Sequence, residues 1–234
     1  NINQIVKTID YNPTGPQTAN LNFQAAATEN LDIGLYTIPR YSYFTFSGTS
    51  YSFNEDVSFN KNLSTVETLS ELAENNLLYN GLFVEYPTVA AIGENFETIV
   101  LAPTLGDANF IVDNHNIYVY IKPNIPDSKW QEWTKTTSLY LESASSKKYS
   151  VRYNQNERYE IKFGNNITGK RLNEGDLIAI YFLKSDGITG QVSKNTINNQ
   201  PIYFFTTTQF QEIKADIISD STNILTSSEA ANLK

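Results

Sequence analysis

The sequence contains no cysteine and no methionine, and only one histidine and two tryptophans, in 234 residues. Without cysteine there is no disulfide framework, no thiolate nucleophile and no cysteine-based zinc site. That absence fits either redox compartment. No run of about 18 apolar residues occurs, which excludes a membrane-spanning helix, and the first residues carry no secretory leader pattern. Like charge never accumulates beyond Lys147-Lys148 or Lys170-Arg171, and the net charge is -8. A surface that tracks phosphates is therefore not expected, and nucleic acid is not an expected partner. There is neither a fixed-period repeat nor a low-complexity tract. With no initiator methionine the sequence reads as a segment excised from a longer chain.

Several chemistries are missing as well. His115 lies between Asn114 and Asn116 in a stretch that reads as a turn, with Asp113 as its close ionisable neighbour. Acid-base work needs a second positioned group, so a solvated turn histidine is the better reading. A Ser-His-Asp arrangement would want a strained G-x-S-x-G elbow, and none is present. Glu157/Glu160 and Glu174/Asp176 are nearby carboxylate pairs of the kind a glycosidase uses. On a strand Glu157 and Glu160 would point to opposite faces, and Asp176 in a turn bonds its own backbone. Gly164-x4-Gly169-Lys170 echoes a phosphate-binding loop, but Arg171 stands where a Ser or Thr should hold Mg²⁺. EF-hand and H-E-x-x-H spacings are missing, so no metal, cofactor or catalytic residue is expected.

What the chain does have is 15 Tyr and 13 Phe among frequent Asn, Ser and Thr, a composition that favours strands and turns. Ile2, Ile5, Val6 and Ile9 fall at helical spacing, and Asn12-Pro13-Thr14-Gly15-Pro16 follows as a turn or linker. Leu21, Phe23 and Ala25 alternate as a strand. Strands are also predicted at Ile33 to Ile38, around Tyr41 to Phe46, and at Tyr51 to Phe53. Ser64 and Glu67 have capping-box spacing ahead of Val66, Leu69, Leu72 and Ala73, which predicts a short helix. Leu77 to Val89 reads as strand with Asn80-Gly81 as a hairpin turn or bulge, and Ile99 to Leu101 as another.

Further on, strands are expected at Ile117 to Ile121, Ser138 to Glu142, Tyr149 to Tyr153, Ile202 to Thr206 and Ile213 to Ile218. Thr226 and Glu229 again have capping-box spacing, before Ala230, Ala231 and Leu233. The expected fold class is α+β, mainly β: two small antiparallel or mixed β regions with a few short helices. The expected division is an N-terminal helix and linker at 1–19, a first β-rich domain at 20–106, a second at 107–218, and a linker to a truncated helix at 219–234.

Trp130 and Trp133 sit three residues apart, as in one helical turn or a tight loop. Each has three readings: a core plug, the centre of a protein interface, or a sugar-stacking platform.

The second region turns on the stretch from Glu157 to Gln191. Tyr159, Ile161 and Phe163 alternate with Glu160 and Lys162 as a half-buried strand. Gly164, Gly169 and Gly175 then sit among Asn165, Asn166, Asn173 and Asp176, so the chain must reverse. Leu177 to Leu183 is apolar on both faces. It is either a central strand or one whose outer face another chain covers, with Leu177, Ala179, Tyr181, Leu183, Trp130 and Trp133 as candidate interface residues.

Phe163-Gly164, Gly169-Lys170-Arg171-Leu172, Gly175-Asp176, the apolar strand Ile178 to Leu183 and Ser185-Asp186-Gly187-Ile188-Thr189-Gly190 together resemble a signature of baseplate wedge proteins from contractile-tailed bacteriophages of the T4 type, related to the baseplate J-like family. Upstream, Asp10-Tyr11-Asn12-Pro13, Ile38-Pro39-Arg40 to Phe44, Leu78 to Tyr86, and Asn109 to Asp113 leading to Ile117-Tyr118-Val119 are similar to the family's motifs in the same order. The family's Phe-Gly-Asp-Gly is Phe163-Gly164-Asn165-Asn166 here, and Asn can take left-handed φ in place of Gly.

The resemblance implies a structural protein of the virion, located in the tail baseplate and assembled in the host cytoplasm. It implies association with copies of itself, as a homodimer or ring, and with other wedge proteins around a central hub. Rearrangement of that ring would trigger sheath contraction. It implies no membrane, nucleic-acid or small-molecule partner. An alternative from a different class is a glycan-binding or glycan-cleaving β domain of a phage tail or surface protein, motivated by Tyr/Trp richness and acidic charge.

Overall fold

The computed structural model describes residues 15–21, 32–61, 78–101, 111–185, 207–217 and 223–224. The expected helices at 2–9, 64–73 and 226–233 and the strand at 202–206 lie outside them, as does the strand expected at 21–25 apart from Leu21. The described chain is mainly β. In order it forms β1 (Asn20–Leu21), β2 (Gly34–Ile38), β3 (Tyr43–Phe46), β4 (Thr49–Phe53), β5 (Val57–Lys61), β6 (Leu78–Asn80), β7 (Leu82–Ala90) and β8 (Thr98–Leu101). Then come β9 (Ile111–Lys122), β10 (Gln131–Thr136), a 3-10 turn (Leu139–Leu141), β11 (Lys148–Tyr153), β12 (Tyr159–Lys162), β13 (Leu177–Ser185), one helix, α1 (Thr208–Ile217), and β14 (Asn223–Ile224).

Two compact units divide the chain. One comprises Asn1–Gln17, Val84–Phe182 and Thr208–Ile217, the other Thr18–Phe83, Leu183–Thr207 and Ile218–Lys234. The divisions thus fall within β7 and β13, whereas the sequence pattern puts one near Asp107. Turn signals mark strand ends, and a strand that continues through a division gives none.

The first unit holds a nearly closed seven-stranded sheet, in the order β7-β13-β9-β10-β11-β12-β8. β10 pairs with β11 in parallel, and β9 with β10, β11 with β12, and β12 with β8 antiparallel. A parallel pair cannot be joined by a tight hairpin, so residues 137–147 form a crossover. That is why Ser138 to Glu142, expected as a strand, instead contains the 3-10 turn, with Glu142 N–H donating to the Leu139 carbonyl.

The core of this sheet gathers Ile117, Val119, Ile121, Trp133, Ile161, Phe163, Ile178, Ile180 and Phe182. Trp133 meets Phe163 edge to face at 5.7 Å, a favoured aromatic geometry. The opposite face of β13 carries Tyr181, whose ring lies edge-on to Tyr120 at 5.7 Å and to Phe210 of α1 at 5.4 Å. β13 is therefore a central strand covered on both faces, which accounts for an apolar run without alternation.

Helix α1 replaces the strand expected at Ile213 to Ile218. Phe210, Ile213 and Ile217 recur at i, i+3 and i+7, and Phe210 and Ile213 are buried. The helical period makes one apolar face of them.

In the other unit β1-β6-β4-β3 form one sheet and β14-β2-β5 another. β3 and β4 make a hairpin across Ser47-Gly48, both at positive φ (49° and 82°), as the two-residue turns that match strand twist require. Its core includes Tyr41 and Phe83, with ring centroids 4.5 Å apart. Gly81, at φ 132°, separates strands that belong to different sheets, so Asn80-Gly81 is a change of sheet and not a hairpin turn.

Candidate functional site

The turn-rich stretch that follows β12 closes one end of the seven-stranded sheet. Its organising group is Asp176. The buried carboxylate accepts the N–H of Asn124 on Oδ1 at 2.9 Å and that of Asn173 on Oδ2 at 2.9 Å. The Asp176 carbonyl accepts from Ala91 N–H at 2.8 Å, and Gly175 N–H returns a bond to the Ala91 carbonyl at 2.8 Å. One residue thereby ties the starts of the loops 91–97 and 123–130 to the end of the loop 163–176.

Glu97 does the same for the neighbouring loop. It is buried, and its carboxylate accepts the N–H groups of Ile92 at 2.9 Å and Gly93 at 3.0 Å. Its carbonyl takes Phe163 N–H at 3.0 Å, and Phe96 N–H donates to the Gly164 carbonyl at 3.1 Å. Buried carboxylates need such donors to offset desolvation. Neither Glu97 nor Asn124 stands out in the sequence: Asn124 meets Asp176 only through the sheet, and Glu97 takes amides four and five residues upstream, a spacing that matches no turn motif. For Glu97 a weak signal exists in Gly93, which lies four residues upstream at φ 77°.

The glycines belong to the same construction. Gly164 and Gly169 are packed so closely that a Cβ on Gly164 would sit 2.2 Å from the Gly169 main chain. Gly164 N–H donates to the Lys170 carbonyl and Asn166 N–H to the Gly169 carbonyl. Asn165 Oδ1 accepts from the N–H groups of Ile167 and Thr168. The amides of Gly164, Asn166, Ile167 and Thr168, which a phosphate-binding loop would offer to a ligand, are spent on the loop itself. Asn166 stands at φ 66°, taking the left-handed conformation open to Asn.

The crossover joins this end too. Gly169 N–H bonds the Ser143 carbonyl at 3.2 Å and Lys170 N–H the Ser146 carbonyl at 2.9 Å. Glu142 accepts the Thr136 hydroxyl at 2.8 Å and Lys148 Nζ at 3.2 Å. The Thr136 hydrogen bond, and then Lys148, hold its carboxyl below the usual range.

Phe163, Gly164, Gly169, Gly175 and Asp176 are thus brought together, while Gly187 and Gly190 lie outside the described residues. The candidate interface residues fare otherwise. Ala179, Tyr181, Leu183, Trp130 and Trp133 are buried within the chain, and only Leu177 has an exposed side chain. They are not a contact surface, because β13 is a central strand and Trp133 lies on β10 facing the core. The main-chain N–H of Trp130 donates to Asp216 Oδ2 of α1 at 2.7 Å. Neither ring presents a face for stacking a sugar. Their three-residue spacing reflects a strand entry, not a helical turn.

The catalytic candidates are likewise dispersed. His115 lies on β9, not in a turn, and is exposed. Asp113 Oδ1 accepts the N–H groups of His115 and Asn116 and the Asn116 side-chain amide, at 2.8 to 2.9 Å. It braces the strand backbone and does not orient the imidazole. Lys135 Nζ donates to the Asn114 carbonyl at 2.7 Å, and partial burial lowers its pKa against the opposing pull of Asp113. Glu157 stands in a turn at φ 58°, not on the strand that carries Glu160. Among the described residues no group of three or more His, Cys, Asp or Glu could hold a metal ion, and no helix is long and apolar enough to cross a membrane.

The loops of this end also expose apolar side chains that the sequence pattern leaves unmarked. Ile125 stands between Pro123-Asn124 and Pro126, and Ile167 between Asn165-Asn166 and Thr168-Gly169. A lone isoleucine among turn formers has no strand period to bury it, and that is the signal. No protein-family model matches the sequence, and no curated protein matches it.

Proposed function

We propose that the chain is a structural subunit of the baseplate wedge of a contractile-tailed phage, acting through contacts with other subunits rather than by catalysis. The observation that carries this reading is the use to which the signature stretch is put. Phe163, Gly164, Gly169, Gly175 and Asp176, the residues similar to the wedge signature, form a hydrogen-bonded closure at one end of the sheet. Its buried carboxylates are occupied by backbone N–H groups and not aimed at a ligand. A closure of this kind gives a rigid scaffold. The glycan-binding alternative draws less support, since Trp130 and Trp133 are buried.

In this reading the subunit associates with its own copies and with other wedge proteins in the virion, after assembly in the host cytoplasm, and takes part in the rearrangement that triggers sheath contraction. Mass spectrometry of purified tailed particles, with antibody labelling viewed by electron microscopy, tests it. The expected result is the protein in stoichiometric amount at the tail end distal to the head. Particles that lack it, or that contract normally when its gene is disrupted, would overturn the reading.

A further inference from the structure

Five large apolar side chains project from the loops of this end, Ile92, Ile125 and Ile167 from those that Asp176 and Glu97 tie together and Tyr140 and Leu141 from the crossover that Gly169 and Lys170 bond. Ile92 is 62% exposed, Ile125 65%, Tyr140 72%, Leu141 84% and Ile167 75%. Their loops are cross-braced by hydrogen bonds, so these groups are presented and not merely loose. Exposed apolar side chains on a braced surface mark an interaction site, since little ordering remains to be done on binding.

The charges around them are sorted. On one flank Ile92 and Ile125 stand with the exposed Glu94, Asp127 and Glu174, and with the exposed Lys129 of opposite sign. The loops of this flank touch. A Cβ on Gly93 would sit 2.8 Å from Glu174 N, and Asn124 Nδ2 donates to the Glu174 carbonyl at 3.4 Å. On the other flank Tyr140, Leu141 and Ile167 stand with Lys147, Lys170 and Arg171, joined through the Gly169–Ser143 and Lys170–Ser146 bonds. Phe96 and Tyr140, with ring centroids 6.3 Å apart, connect the flanks.

We propose that this loop surface is a self-complementary contact between two copies of this chain, the acidic flank of each facing the basic flank of the other around a shared apolar centre. A two-fold axis sets a patch against itself, so a patch with opposite signs on its two flanks attracts its own copy. A partner of one sign would be repelled by one flank. The inference rests on the reading of the chain as an assembly subunit, yet it is tested apart from virion content.

Sedimentation equilibrium of the 234-residue chain at low and high salt is the experiment. The wild type should dimerise, less tightly at high salt. Lys170→Glu with Arg171→Glu makes both flanks acidic, and Glu94→Lys with Glu174→Lys makes both basic. Each double variant should weaken the dimer at least about tenfold while keeping the wild-type circular dichroism and melting temperature. An equimolar mixture of the two should restore it as a heterodimer. A wild type that stays monomeric, a dimer indifferent to both reversals, or a mixture no tighter than its components would overturn the proposal. So would a monomer that uses this surface for a different protein. A dimer absent from virions would sink the baseplate reading and leave the contact standing, and a monomer found in baseplates would do the reverse.

Discussion

The carboxylate of Asp176 accepts the main-chain N–H of Asn124, 52 positions away in the sequence, at 2.9 Å. The bond joins the loop before β13 to the loop after β9, and the second carboxylate oxygen closes the local turn on Asn173. Asp176→Ala would leave two amides at a buried site without acceptors. The expected loss is about 2–4 kcal/mol of unfolding free energy, measured by urea denaturation. Asp176→Asn keeps one acceptor and sets an NH₂ against an N–H, so it should lose nearly as much. If both variants unfold at the wild-type urea midpoint, Asp176 does not hold the loops.

Gly164 and Gly48 make a matched pair for a test of close packing. A Cβ on Gly164 would lie 2.2 Å from the Gly169 backbone, whereas one on Gly48, at φ 82°, would meet nothing within 4 Å. Gly48→Ala should therefore cost about 1 kcal/mol, for the left-handed conformation alone. Gly164→Ala must displace backbone and should cost about 2–4 kcal/mol. Thermal melts of the two variants side by side would show it, and equal losses would mean the loop yields freely.

The strands were legible wherever one face was wet. Tyr159, Ile161 and Phe163 alternate with polar residues, and β12 lies there; Tyr43 to Phe46 and Tyr149 to Tyr153 read the same way. β13 was legible as a strand but not as to what covered it, because burial by α1 and burial by another chain leave the same apolar run. α1 itself was misread since Ile213, Ala215 and Ile217 fit a period of two, while Phe210, Ile213 and Ile217 fit a period of 3.6. Only the ring of Tyr181 beneath Phe210 decides between them. The closure was half legible: Asp176 and the glycines carry turn chemistry, but Asn124 is bonded across the sheet and Glu97 takes amides four and five residues upstream, a spacing that matches no turn motif. The exposed isoleucines were hidden by composition, which counts them as core.

Trp133 offers a direct test of core against surface. Its ring is buried against Phe163, so Trp133→Ala should cost about 3–5 kcal/mol. Trp133→Phe keeps an aromatic contact and should recover a large part of that. Tryptophan emission from the wild type should be blue-shifted and poorly quenched by iodide. A stable Trp133→Ala variant with reduced glycan binding would instead revive the sugar-platform reading.

Tyr159 sets the alkaline limit. Its buried hydroxyl donates to the Val112 carbonyl at 3.2 Å, and Gly15 lies so near that a Cβ there would sit 1.8 Å from Oη. Burial, and then the charges of Tyr153 and Asp113, raise its pKa well above the ordinary 10.0. The unfolded chain gives up this proton near pH 10 while the folded chain keeps it, so the unfolded state binds fewer protons and stability falls as pH rises. The contribution is complete below pH 10 and is lost above it, at up to about 1.4 kcal/mol per pH unit. Urea titrations from pH 8 to 12 should show wild-type stability declining more steeply than that of Tyr159→Phe, which has no phenol to ionise. The two curves should run parallel below pH 10 and converge above it, and curves parallel throughout would place the Tyr159 hydroxyl in contact with solvent.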